Sequence, residues 1–246
     1  MDKELIIREF NRIKNLGYVK SRRSNNTGIG KTFEDYLGVT ENNDKLPDFA
    51  GFEVKSQRAL TSSYLTLFTK SPTGPVGANT YLRDTYGEFY EEYPTLKRLH
   101  TSIFSERFNT YKGTYGFKIE NSGQDKTIRI IVKNIETDKI IDNRVYWTYD
   151  DIRDCIEKKL NNLFYVNADT KIVENIEHFH FTQAKIYIKP RFEKLLELID
   201  QGKIMVDIRI GSYKSGNNKG KTHDHGTGFR IKPIDLSILY SDVINI

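Results

Sequence analysis

The chain has 246 residues, enough for one large domain or two lobes that share a cleft, and its 38 Lys and Arg against 33 Asp and Glu give a net charge of +5. That bias is compatible with a polyanionic partner, while 14 Phe and 15 Tyr at a mean hydropathy of −0.58 argue against a disordered chain. The single cysteine, Cys155, excludes an intramolecular disulfide and every thiolate zinc cage, and no stretch approaches the ~20 apolar residues that span a bilayer.

The expected setting is therefore a reducing cytoplasm, with neither a signal peptide nor a membrane span. From the amino terminus, Leu5, Ile6, Phe10, Ile13 and Leu16 recur at helical spacing, which predicts an amphipathic helix over 3–16 ended near Gly17. A polar, basic loop, "VKSRRSNNTGIG", leads to a short predicted helix, "KTFEDYLG", with Phe33, Tyr36 and Leu37 inward and Gly38 as its stop. Strands are predicted in "FEVKSQ" and in "SSYLTLFTKSP".

Residues 73–100 read as loops with one helix at Thr95–His100. "YGFKIENSGQDKTIRIIVKN" predicts a hairpin turning at Asn121-Ser122-Gly123. "TYDDIRDCIEKKLNN" predicts a helix, with Thr148 as cap, acids early and lysines late. Strands follow at 163–167 and 179–188, a helix opened by Pro190 and stopped by Gly202, and a strand in "KIMVDIRIG". A long basic, Gly-rich loop, "GSYKSGNNKGKTHDHGTG", precedes a final strand and short helix.

One stretch carries chemistry. In "KLPDFAGFEVKSQ", Asp48 precedes a strand on which Glu53 and Lys55, two residues apart, point to the same face while Val54 packs inward. Carboxylates that hold a divalent metal beside a lysine that assists water are what metal-dependent phosphodiester hydrolysis requires. The sequence holds its own control: Asp150 or Asp151 with Glu157 and Lys159 fits the same loose pattern, but on a predicted helix, where i and i+2 point far apart. The pattern by itself also fits a solvated strand edge.

Read with the preceding "GIGKTFEDYLG", the stretch resembles the core of the MutH-like nucleases of the PD-(D/E)xK type, and within them the MvaI/BcnI family of restriction endonucleases. The resemblance implies an α/β fold with a mixed sheet flanked by helices, and two lobes around a DNA-binding cleft. The whole chain, 1–246, would be one two-lobed endonuclease domain with its catalytic core in about 1–72 and its recognition elements in about 203–232. It implies a type II restriction endonuclease that binds double-stranded DNA as a monomer. With Mg²⁺ it would cut one strand at a time at a short pseudopalindrome of the CCWGG sort. The alternatives are a MutH-like strand-nicking repair enzyme and a non-catalytic sequence-specific DNA-binding protein. Asp48 and Glu53 would ligate Mg²⁺ with the Val54 carbonyl, Lys55 would assist the attacking water, and Glu34 would be an accessory carboxylate or, alternatively, only a helix acid facing the macrodipole.

Reading G·C pairs asks for Arg or Lys at guanine and an acid or amide near the cytosine amino group. Asp207 and Arg209 alternate on one strand face and suit that task. Lys214, Lys219 and Lys221, then His223, Asp224, His225 and Arg230, collect further polar groups in one Gly-spaced segment, which could equally be a solvated loop. Arg22 and Arg23 beside "SNNTG" are candidates for phosphate or the minor groove. His178 and His180 share a predicted strand but show no third metal ligand in sequence, so a structural role is expected for them.

Overall fold

The computed structural model describes residues 1–39, 48–59 and 62–246. Its helices are α1 (Lys3–Lys14), α2 (Gly28–Leu37), α3 (Ala78–Tyr86), α4 (Tyr149–Lys159), α5 (Phe192–Asp200) and α6 (Leu236–Leu239). Its first strands are β1 (Val19–Lys20), β2 (Glu53–Arg58), β3 (Leu65–Thr69), β4 (Glu88–Phe89), β5 (Lys97–Ile103), β6 (Tyr115–Ser122), β7 (Thr127–Asn134) and β8 (Ile140–Asp142). They continue with β9 (Tyr146–Thr148), β10 (Asn162–Val173), β11 (Ile176–Pro190), β12 (Ile204–Ser212), β13 (Thr222–Asp224), β14 (Gly228–Ile231) and β15 (Tyr240–Asn245).

These elements form two compact units. The first comprises Met1–Ser63, Glu157–Arg191 and Tyr240–Ile246, and the second Tyr64–Ile156 and Phe192–Leu239. β3 falls in the second unit, and the first includes the long β10–β11 hairpin and β15.

In the first unit the sheet runs β1-β11-β10-β2, with β15 also on β11. β2 lies parallel to β10, whereas β1, β10 and β15 each pair antiparallel with β11. One face carries the core. Ile6, Phe10 and Ile13 of α1 and Ile29, Phe33 and Leu37 of α2 pack with Val54, Phe164, Val166 and Phe181, and the Phe33 and Phe181 rings lie 4.8 Å apart. The Asp2 side chain caps α1 by accepting from the Leu5 amide at 2.9 Å. α2 begins at Gly28, three residues before the sequence prediction, and there a Cβ would sit 2.3 Å from the Arg23 carbonyl oxygen. Gly38, at φ +78°, closes it as expected.

The second unit holds a sheet ordered β3-β14-β12-β5-β4, with β13 on β12, and another ordered β6-β7-β8, with β9 on β7. Val206, Ile208 and Ile210 of β12 are fully buried. Residues 73–100 depart from expectation. The helix in this stretch is α3, and Lys97–Ile103 is a strand, because Leu99 and Ile103 bury on one face while Lys97, Arg98, His100, Thr101 and Ser102 stay partly exposed. Pro190 ends β11 rather than opening α5. The other predicted elements are present, with β10 and β11 longer than expected.

Candidate functional site

The first cluster is made by a turn. Phe49 and Phe52 exchange main-chain hydrogen bonds of 3.1 and 2.8 Å around Ala50 (φ +50°) and Gly51 (φ +83°). Positive φ at both central residues is the two-residue hairpin geometry that folds a chain straight back on itself. Asp48 is thereby returned to the start of β2, where its Oδ2 accepts from the Val54 amide at 2.8 Å. The tight turn is what lets two carboxylates only five residues apart converge.

Glu53, Lys55 and Gln57 lie opposite Leu163, Tyr165 and Asn167 in the parallel ladder, so they share one sheet face, while Val54 is buried on the other. Lys55 Nζ meets Glu53 Oε1 at 2.9 Å, and both side chains are mostly covered. Partial burial pushes the Asp48 carboxyl above its usual range and the Glu53 charge adds to this, against the opposing pull of the Val54 amide, Lys55 and Lys159. The phenol of Tyr240 is buried near Glu53 and has no hydrogen-bond partner among the described residues. Glu34 lies on α2, whose inward face packs against the same core.

Two carboxylates and main-chain oxygens form an all-oxygen donor set, which fits a hard divalent cation that retains several waters. Among the described residues no group of three or more His, Cys, Asp or Glu side chains is arranged to hold a metal.

The second cluster centres on β12. Asp207 is 1% exposed, and its carboxylate accepts from Ser102 Oγ at 2.9 Å, from Arg209 Nε at 2.8 Å and from Arg230 Nη2 at 2.9 Å. Sequence left two roles for Asp207, holding the arginine or accepting from cytosine; a carboxylate already engaged three ways below the surface is suited to the first. Arg209 is the exposed member, its side chain 44% accessible. His100 pairs with Arg209 across β5 and β12, and its Nε2 is buried without a hydrogen-bond partner among the described residues. Burial lowers the His100 pKa, and the neighbouring Arg209 and Arg98 charges lower it further. His100 is not among the residues singled out by sequence, where its segment reads as loop and helix; the alternation in "KRLHTSI" is the signal that places it on a strand.

The remaining candidates separate by environment. Asp224 accepts from Ser71 Oγ, Asn79 Nδ2 and the Gly226 and Thr227 amides. Burial alone would raise its carboxyl, but these donors, led by Thr227, hold it below the ordinary range; it is a turn-former with its acceptors engaged. His223 stacks on Tyr213 with ring centroids 4.4 Å apart and tilts against His225 at 4.1 Å, and burial followed by the His223 charge lowers the His225 pKa. Lys214, Lys219 and Lys221 are exposed on one loop, with Lys214 Nζ 4.9 Å from the Tyr90 ring centre. In the first unit, Arg22 and Arg23 line a 340 Å³ cavity with Ser21, Asn25 and Glu177, and Arg22 lies over the Tyr36 ring.

The control pattern behaves as a helix. Asp151 accepts from Lys70 Nζ at 2.6 Å, Thr73 Oγ1 at 2.8 Å and Thr148 Oγ1 at 2.7 Å, while Glu157 points to solvent from α4. His178 and His180 face the main-chain carbonyls of Ile176 and Lys14, the structural role expected of them.

Comparison with known proteins gives a consistent result. The model of the MvaI/BcnI restriction endonuclease family matches residues 7–240. Among solved structures, restriction endonuclease MvaI in complex with cognate DNA substrate is 38% identical with a TM-score of 0.88, covering 100% of this chain and 99% of that one. MvaI in the absence of DNA aligns at 38% identity with a TM-score of 0.68, covering 100% of this chain and 98% of that one. No curated protein sequence matches the chain.

Proposed function

Because the chain belongs to the MvaI/BcnI restriction endonuclease family, we propose that it cleaves duplex DNA at a short pseudopalindromic site of the CCWGG sort, as a monomer, one strand at a time. It is a site-specific nuclease of the PD-(D/E)xK fold, and such enzymes require a divalent metal; here we assign Mg²⁺. The observation that carries the reading is the convergence of Asp48 and Glu53, with Lys55 beside them on the same sheet face as Glu53.

Asp48 and Glu53 would hold the ion, with the Val54 carbonyl adjoining them. When bound, the metal neutralises charge that develops on the scissile phosphate and makes water more acidic. Lys55, now paired to Glu53, would hydrogen-bond the attacking water and offset negative charge at the phosphate. Glu34 would act as an accessory carboxylate from α2. Arg209, oriented by Asp207, and Arg230 would read base edges with His223 and His225, and Lys214, Lys219, Lys221, Arg22 and Arg23 would neutralise phosphates.

The test is plasmid DNA with the purified protein and Mg²⁺. Discrete double-strand fragments whose mapped ends fall at one short sequence support the proposal. Nicked circles alone, or a shifted but intact plasmid, refute it.

A further inference from the structure

We infer that Arg83 is a positioning residue for DNA binding, a buried guanidinium that locks the neck of the 213–221 loop and so presets Lys214, Lys219 and Lys221. The inference rests on the proposed contact between that loop and phosphate. Residues 213–219 are all exposed, and their recorded ring contacts lie at the start of the loop, where Tyr213 stacks on His223 and Lys214 lies over Tyr90 and Tyr93, so little packing holds the stretch that carries Lys219 and Lys221. A loop of that kind opens locally at little cost unless something ties it.

The tie is at the neck. Tyr213 N donates to Lys221 O at 3.0 Å and Gly220 N to Tyr213 O at 2.9 Å. Directly beneath, Arg83 of α3 is 7% exposed, and its Nη1 donates to Ser212 Oγ at 3.0 Å and to Gly220 O at 3.1 Å. One guanidinium nitrogen therefore grips both strands of the neck. Ser212 Oγ in turn donates to the Lys97 carbonyl at 2.7 Å, which ties the grip to β5. The carboxylate on Arg83 is Asp84, itself half exposed, so ion pairing gives a buried cation limited compensation. A guanidinium placed there reaches both loop acceptors through Nη1 while its Nε, on the far side of the planar group, keeps Asp84, a division between two fixed nitrogens that the single ammonium of lysine does not reproduce.

Setting three lysines in advance spares the ordering cost that binding would otherwise carry. The test compares Arg83→Lys, the triple variant K214A/K219A/K221A, and the two combined. Affinity is read on duplex DNA in Ca²⁺ across a salt series, turnover in Mg²⁺, and neck rigidity by amide hydrogen exchange. Arg83→Lys should weaken binding about tenfold and flatten the salt dependence, raising KM with kcat within about twofold. The Tyr213 and Gly220 amides should exchange faster. In the lysine-free background Arg83→Lys should add less than about twofold, because its effect passes through those side chains.

Unchanged affinity and salt slope in Arg83→Lys would overturn the inference, as would an equal loss in the lysine-free background. If the triple variant binds like the parent, the loop does not touch DNA; the underlying reading then fails visibly, and the binding role of Arg83 with it. Ser212→Ala, which removes one neck contact and keeps the guanidinium, should show the same pattern at smaller amplitude if Arg83→Lys does not fold.

Discussion

Replacing Asp207 by Asn separates its two possible roles, because the substitution keeps shape and removes charge. The parent carboxylate is 1% exposed and accepts from Ser102, Arg209 and Arg230. Hydrogen bonds to a charged group contribute about 1.5–3 kcal/mol each. The Arg209 side chain is 44% accessible, so solvent screening cuts its share to under about 1 kcal/mol. The Arg230 side chain is 27% accessible and its Nε already lacks a hydrogen-bond partner among the described residues, so it bears more of the loss. The expected destabilisation is about 2–4 kcal/mol, visible as a lower denaturant midpoint at unchanged slope. Cleavage of single-base variants of the site should become less selective by about 1–3 kcal/mol, since two guanidinium groups lose their common anchor. A variant that unfolds at the parent midpoint and rejects every altered site as strongly as the parent would refute the orienting role.

Arg209→Ala should remain folded and lose about 1–3 kcal/mol of discrimination at one G·C pair, measured by cleavage of variant duplexes. Glu53→Ala or Lys55→Ala should abolish cleavage yet keep specific binding in Ca²⁺, whereas Glu157→Ala, on the helical copy of the pattern, should cut normally. Near-parental cutting by Glu53→Ala would remove the assigned centre. Asp151 is held at about 2 by Lys70, Thr148 and Thr73. Its unfolded form binds protons more readily, so its contribution is present above the ordinary carboxylate range and is lost as pH falls towards 2. At its partial exposure that contribution is about 1 kcal/mol. Denaturation of Asp151→Asn should show that loss at neutral pH and a flatter stability profile between pH 4 and about 2.

The first cluster was legible because its logic is local. A proline, an aspartate, a glycine-containing turn and a strand of alternating polarity specify Asp48, Glu53 and Lys55 within a few residues, and the resemblance of that segment extended to the whole chain. Asp207 was legible as a same-face neighbour of Arg209 but not as a buried anchor, because Ser102 and Arg230 come from other strands of the sheet. The stretch from 73 to 100 misled because β5 carries Lys97, Arg98 and His100 at half-buried positions, where ion pairs and stacking replace apolar burial. Arg83 gave no signal at all: in sequence it is one more arginine, and only long-range contacts with Ser212 and Gly220 mark it.

The parallel pairing of β2 with β10 has a consequence for biosynthesis. Glu53 and Lys55 emerge early from the ribosome, but their ladder partners Leu163 and Tyr165 are made much later, and β15, which completes the same sheet, comes last. A nascent or truncated chain that stops short of β10 contains Asp48, Glu53 and Lys55 without the strand that aligns them. On the proposed assignment of the centre, a chain cut short before β10 should therefore bind no metal at Asp48 and Glu53 and cleave no DNA, whatever its amino-terminal helices retain.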